Sequence, residues 1–361
     1  MEFIRTYLPP SDVDTVVYHA GCSDGFGGAY NFWKLSNRLY NHHLIEYIPY
    51  SHSDSEEYIK TKIFPLLKNK NVVFIDVCPK YIKEMMVELP ARAIVLDHHE
   101  SAFTILNDVD ESIAKRCYID MTHSGAVLGH MFCFPNEQVP LFLECIEDRD
   151  LWAWKIADVS KPFIEYFYSY VPFEFEEYAK FENTVFVSHS VDEGKVLLKY
   201  KDYRVKQLAK RAAEKSISID GQIYNVFVIN CGEYISDLGN ELSKRKLFSD
   251  KLCDFVILWN YDHKKETFIV SLRSDNERED ATNVRKISEY FGGGGHQNAA
   301  GFCIHRKGLL FNELAEILNT NSNTPSKFLS SSLHSLLPYI SITSLVAVSL
   351  FGTYKYFTSK M

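Results

Sequence analysis

Asp97, His98 and His99 follow directly behind the apolar run Ala93-Ile94-Val95-Leu96, so one loop carries a carboxylate and two imidazoles, three groups able to bind a metal or move a proton. The apolar run has the character of a core strand in a parallel sheet, and open parallel sheets take their ligands at the carboxyl ends of their strands. The same punctuation occurs twice upstream. Thr15-Val16-Val17-Tyr18 leads into His19-Ala20-Gly21-Cys22-Ser23-Asp24-Gly25, and Val72-Val73-Phe74-Ile75 leads into Asp76-Val77-Cys78-Pro79. Asp148, with Asp150 beside it, comes after the helix-like run from Val139 to Ile146. Taken singly, each Asp reads best as the N-cap of a following helix, His19 as a satisfied interior histidine, and His99 as a loop residue. Taken together, carboxylates and imidazoles converging at several strand ends would repel or desolvate one another unless a cation balanced them. A divalent-metal cluster built from His19, Cys22, Asp24, Asp76, Asp97, His98, His99 and Asp148 is the economical explanation.

The elements that must position these residues alternate strand and helix from Val16 to about Leu151, which predicts a doubly wound α/β sheet with helices over Gly25 to Asn37 and Ser124 to Phe134. An aromatic, acidic connector spans 161–198, where Phe163, Phe167, Tyr178 and their neighbours read as packing between lobes more than as a platform for bases. A smaller α/β domain is expected over 199–318, with strands Val226 to Asn230, Phe255 to Asn260 and Thr267 to Arg273. Within it, Gly292 to Gly295 run straight into His296. A bare glycine run reads as a hairpin or helix cap, but His296, Ala299-Ala300-Gly301 and Arg273 shift the expectation toward phosphate or base recognition by Gly293, Gly294, Gly295, His296 and Arg273.

Composition limits the partners. The 361 residues are 46% hydrophobic and 24% charged, a globular balance, and the net charge of -8 argues against an extensive basic surface for long duplexes. Basic residues cluster at Lys199, Lys201, Arg204, Lys206, Lys210, Arg211 and Lys215; a solvated helix face accounts for them better than a nucleic-acid guide. Eight cysteines without a Cys-x-x-Cys pair suggest a reducing compartment, and Met1 to Thr6 has no signal-peptide character. A polar linker at 319–335 precedes the mostly apolar stretch 336–357. That stretch is expected to be a C-terminal transmembrane helix anchoring the chain to a membrane with its catalytic domains in the cytosol, and a docking helix is the alternative.

The order His-x-x-Cys-x-Asp-Gly, an Asp behind a second strand, Asp-His-His, then Asp148-Arg149-Asp150-Leu151-Trp152 resembles the DHH phosphoesterase superfamily. Val270-Ser271-Leu272-Arg273-Ser274 and Phe291 to Phe302 resemble the DHHA1 domain that accompanies it, so the likeness covers roughly residues 12 to 318. It implies a DHH catalytic domain over 1–160, a DHHA1-type substrate-binding domain over 199–318, and a pair of divalent ions, usually Mn2+, with Mg2+ as the other oxygen-loving choice. Asp76 would bridge the two. His19 and Cys22 would complete one metal, and Asp24, His98 and Asp148 the other. Asp97 would act from behind the ligands, and His99 would face the substrate as proton donor or phosphate partner. Many relatives carry Asp where Cys22 stands, and a thiolate there would favour a softer metal.

Two divalent ions about 3.5 to 4 Å apart can activate water and neutralise the charge that builds on phosphate oxygens in an in-line displacement. The resemblance therefore implies a phosphodiesterase acting on short oligonucleotides or dinucleotides, with exonuclease action as the narrower expectation. Cleavage of pyrophosphate or short polyphosphate is the alternative within hydrolases, and a nonhydrolysing nucleotide sensor the alternative outside them. Oligomeric state is left open.

Overall fold

The computed structural model describes residues 1–39, 44–51, 54–107, 109–247 and 250–305. Five strands make the first sheet: β1 (Thr15–His19), β2 (Glu46–Tyr50), β3 (Asn71–Ile75), β4 (Arg92–Asp97) and β5 (Cys117–Ile119). All pair in parallel, in the order β2-β1-β3-β4-β5. Successive side chains on a strand alternate faces, and both faces here are covered. Val17, Val72, Phe74, Ala93 and Val95 enter one core with Ile59, Ile63 and Met85. Val16, Val73, Ile75, Ile94 and Leu96 enter another with Ala29, Phe32, Leu128 and Phe132. These strands are continuous apolar runs because neither face meets water. The strand order reverses between β1 and β3, and the crevice outside the carboxyl ends of such a pair is where open α/β sheets take ligands.

Three helices from the first half carry site residues: Ser23–Arg38, expected as Gly25 to Asn37, Gly125–Cys133, expected as Ser124 to Phe134, and Leu141–Asp150. The aromatic connector proves to be packing material. Phe163, Phe167, Tyr178 and Phe181 join Phe26, Tyr30 and Phe142 in one buried cluster, with ring centroids of 4.8 Å for Phe26 and Tyr178 and 4.9 Å for Phe167 and Tyr178. The boundary expected at 198/199 falls within one continuous helix, Thr184–Ala209. It packs on the helix Ala157–Tyr170, and its Lys201 is buried against Glu165 and Asp237, so that member of the basic cluster is not a solvated charge.

The second sheet contains β6 (Ala213–Ile219), β7 (Gln222–Asn230), β8 (Phe255–Asp262), β9 (Thr267–Arg273), β10 (Gly294–His296) and β11 (Ala299–His305), in the order β10-β11-β9-β8-β7-β6. Every pairing is antiparallel except β7 with β8. The helix Val284–Tyr290 covers one face and the helix Ile235–Ser243 the other.

The membrane anchor and cytosolic orientation expected from the tail are overturned. Among the described residues no helix is long and apolar enough to cross a membrane. A span needs about 20 consecutive mostly apolar residues; the longest described helix, Thr184–Ala209, has 26 residues but carries charged side chains from Asp192 to Lys206. The segments on which the expectation rested, 319–335 and 336–357, lie outside the described residues. In sequence the second is broken by Pro338 and diluted by Ser341, Thr343, Ser344 and Ser349.

Candidate metal centre

The carboxyl ends of β1, β3 and β4 deliver His19, Asp76 and Asp97-His98-His99 to one crevice. Asp76 ends its strand with φ of 60°, a left-handed conformation that Asp tolerates at some cost and that recurs where structure is held for function. Its amide still donates to Leu96 O at 2.9 Å, so the turn stays tied to β4. The two carboxylate oxygens face different imidazoles: Oδ2 lies 3.3 Å from His19 Nδ1, and Oδ1 lies 3.0 Å from His98 Nε2 and 3.7 Å from His99 Nδ1. His98 Nε2 is also 3.5 Å from Asp24 Oδ2 and 3.4 Å from Asp150 Oδ2. One imidazole nitrogen facing three carboxylates in a buried place is an arrangement that calls for cations.

Two groups have donor atoms close enough to share an ion: His19, Asp76 and His99; and Asp24, His98 and Asp150. Carboxylate oxygens suit manganese or magnesium, and imidazole nitrogens suit first-row transition ions, so a sulfur-free set of both fits a pair of divalent cations. His99 and Asp24 are braced from behind. Asp97 Oδ1 accepts from the amides of His98 and His99 and lies 2.8 Å from His99 Nδ1. Asp24 accepts from the amides of Gly125 and Ala126 at 2.6 and 2.9 Å, at the start of a helix whose dipole favours an anion. Position 125 must be glycine for this approach, because a Cβ there would stand 2.4 Å from Asp76 Cβ.

The electrostatics record the crowding. Burial works against a charged Asp76, yet its hydrogen bonds to His19 and His98 hold it far below the usual carboxylate range. Burial would lower His99, but the Asp97 hydrogen bond and the charges of Asp76 and Asp97 raise it to about 9; burial likewise opposes a charged His98, yet Asp24 and Asp76 raise it well above its ordinary value. Burial, then the Asp24 charge, lifts Asp150 to about 7.

Two expected ligands have other partners. Cys22 caps the helix Ser23–Arg38, its Sγ accepting from Asp24 N at 3.4 Å, and it belongs to neither donor group. Burial and the nearby carboxylates push its thiol well above the ordinary value. Asp148 accepts from Lys155 N, Ile156 N and Ser160 Oγ at 2.6, 3.1 and 2.6 Å, pinning the turn that leads into the helix Ala157–Tyr170. Asp150 stands in the crevice in its place. Positions two apart on a helix differ by about 200°, so only one of the two acids can face the site, and the sequence carries no signal for which.

The crevice opens into a cleft of about 590 Å³ whose far wall comes from the second sheet. His296 stacks on His99 with centroids 4.9 Å apart and 20° between planes. Burial, then the charges of His99 and His98, pushes it down to about 4, so it is neutral near pH 7. Arg273 donates to Leu272 O and to Ser236 Oγ, while its Nε is buried with no hydrogen-bond partner among the described residues; burial and then the Arg149 charge bring it down to about 10. The glycines play a different part from the one expected. Gly294, Gly295 and His296 pair with Gly301, Ala300 and Ala299 in a hairpin, and Gly293 N donates to Ser288 O. A Cβ on Gly293 would lie 2.2 Å from Gly301 O. Gly293 and Gly295 therefore let backbones pack so that His296, Gln297 and Asn298 line the cleft, and Gly293, Gly294 and Gly295 themselves do not line it. Arg149, Trp152, Tyr168 and Ser236 also line it, though no motif argument singled them out as site residues.

No protein-family model matches the chain. It is 33% identical over 296 residues to the uncharacterized protein R106 of Acanthamoeba polyphaga mimivirus, covering 81% of this chain and 68% of that one. It is 25% identical over 230 residues to the oligoribonuclease NrnB of Bacillus subtilis (strain 168), covering 60% of this chain and 54% of NrnB. Among solved structures, the DHH domain of a protein described as a member of a ribosomal-protein family shares the fold, with a TM-score of 0.52 and 15% identity over 89% of this chain and 90% of its own.

Proposed function

Since the chain belongs to the DHH phosphoesterase superfamily, we propose that it is a manganese- or magnesium-dependent phosphodiesterase that hydrolyses short oligonucleotides or dinucleotides, with exonuclease action as the narrower form. One observation carries this reading: two carboxylate-imidazole donor groups meet across Asp76 at the switch point of the parallel sheet, facing a cleft whose opposite wall presents arginine and histidine. The oligoribonuclease NrnB supports the oligonucleotide class by likeness. His19, Asp76 and His99 would hold one cation and Asp24, His98 and Asp150 the other. Such a pair supplies an activated water and neutralises charge on the phosphate oxygens.

The protein's own groups do the rest. Asp97 fixes the orientation of the His99 ring, as carboxylates behind metal-binding imidazoles do. The amides of Gly125 and Ala126 keep Asp24 from swinging out of the crevice. His296, neutral at physiological pH, can exchange hydrogen bonds with phosphate or leaving group without adding repulsion to its neighbours. Arg273 would hold a phosphate oxygen through its planar fork. A cleft of this volume exceeds what pyrophosphate needs.

The test is to incubate the full chain with Mn2+ and either pyrophosphate or end-labelled di- to pentanucleotides. Release of mononucleotides from the short oligomers is expected. Turnover of pyrophosphate alone would make the protein a phosphoanhydride hydrolase, and tight nucleotide binding with no turnover of either substrate would make it a sensor.

A further inference from the structure

The facing rings of His99 and His296 come from separate halves of the fold, and one side chain outside the cleft ties their supports together. His99 is the N-cap position of the helix Glu100–Leu106. His296 ends β10, which follows the helix Val284–Tyr290. That second helix grips the hairpin on both sides of the ring. Val284 N donates to Gln297 O at 2.9 Å, and Ser288 Oγ donates to Gly301 O at 2.6 Å and lies 3.2 Å from Gly294 O. Arg285, buried on the same helix, reaches across to the first. Its Nη1 is 3.0 Å from Glu100 Oε2, its Nη2 donates to Thr104 Oγ1 at 2.9 Å, and its Nε donates to Glu289 Oε1 at 2.7 Å. Glu100 and Thr104 stand four apart and so share one face of their helix, while Glu289 steadies the guanidinium from its own. All three guanidinium nitrogens are engaged in one planar fork, which a lysine could not reproduce. Burial holds the first helix more weakly: Ala102 is buried, while Ile105 and Leu106 are only partly so. The setting of that helix, and with it of His99, therefore rests in part on the guanidinium.

Resting on the phosphodiesterase reading, we propose that Arg285 is a positioning residue: from outside the cleft it clasps the helix behind His99 to the helix that leads to His296, and so keeps the two rings stacked at 4.9 Å. Arg285 touches no reacting atom. It acts through His296, whose ring must stay over the donor groups to meet a phosphate or leaving group held there. A displacement of about 1 Å in such a group can cost on the order of 10²-fold in rate, so a clasp remote from the chemistry can still govern it.

The experiment has one readout without turnover and one with it, both on the full chain. In EDTA, the rate at which diethyl pyrocarbonate modifies His296 is followed by mass spectrometry in wild type, R285A, R285K and E100Q. R285A should react about tenfold faster or more, the scale of charge-assisted hydrogen bonds, with R285K and E100Q in between because each keeps part of the clasp. With Mn2+ and an end-labelled dinucleotide, R285A should lose about 10- to 100-fold in kcat, with a smaller change in KM and wild-type metal content. In an H296A background the same substitution should cost no more than about twofold further, because the ring it seats is gone. If R285A does not fold, R285K and E100Q carry both comparisons. Unchanged reactivity of His296, or an equal loss of kcat with and without His296, would overturn the proposal. Failure of the hydrolase reading looks different: wild type turns over no dinucleotide, while His296 still becomes more reactive once the clasp is cut.

Discussion

The two walls of the cleft are built on opposite electrostatic plans. The parallel sheet gathers acids and imidazoles at its carboxyl edge until three carboxylates face one ring nitrogen of His98, an arrangement that cations relieve. The mixed sheet and the last turn of the helix Leu141–Asp150 bring Arg273 and Arg149 to the same cleft with N–H groups unused, an arrangement that anions relieve. A phosphate diester needs both at once, metal on its reacting oxygens and guanidinium on the charge that remains. The contrast teaches that binding and chemistry are separable here by residue, and mutation should separate them.

The strongest way to break the comparison is Asp76→Ala. Losing the carboxylate that belongs to one donor group and contacts His98 of the other should lower kcat on the order of 10³-fold or more, with divalent-metal content falling in parallel; near-normal activity would contradict a two-cation centre. Asp150→Ala should resemble it in metal content.

Arg273→Ala sharpens the opposite wall. It should raise KM about 10- to 100-fold while metal content stays at the wild-type level, and a matching loss of metal would mean that Arg273 supports the first wall instead.

Asp148→Ala separates scaffold from ligand. With three hydrogen bonds to the 155–160 turn lost, unfolding should become easier by about 2–4 kcal/mol, measured by urea melts with metal present. Metal affinity should change less than in Asp150→Ala, and the reverse ranking would restore Asp148 as the ligand.

The smallest expected effect is in pH. His99 at about 9 and Asp150 at about 7 both lie above their ordinary values of 6.5 and 3.8. Groups raised on folding contribute stability that is present below the unfolded value and lost as pH climbs through the folded one. The melting temperature of EDTA-treated protein should therefore decline between pH 6 and 9, and added Mn2+ should flatten the decline. A melting temperature that rises over that interval would show the acids and imidazoles are not coupled as described.

Much of this was legible in the chain itself, because its signals are local. Apolar runs such as Val72 to Ile75 and Ala93 to Leu96 read as strands buried on both faces, and the residue ending such a strand must emerge at the ligand-binding edge, so His19, Asp76 and Asp97 to His99 could be assigned to one crevice from sequence. What the tertiary structure alone decided depends on rotation, register and distance. Helix packing turned Asp150 rather than Asp148 toward the crevice. Hairpin pairing put the suspected anion loop Gly293 to Gly295 into a strand turn where Gly293 and Gly295 make the close backbone contacts that present His296. Arg149, Lys201 and Asp237 come from separate elements and meet only once the two sheets are packed around their helices. Neither spacing nor periodicity encodes such a meeting, since its energy exists only when the partners are already in place.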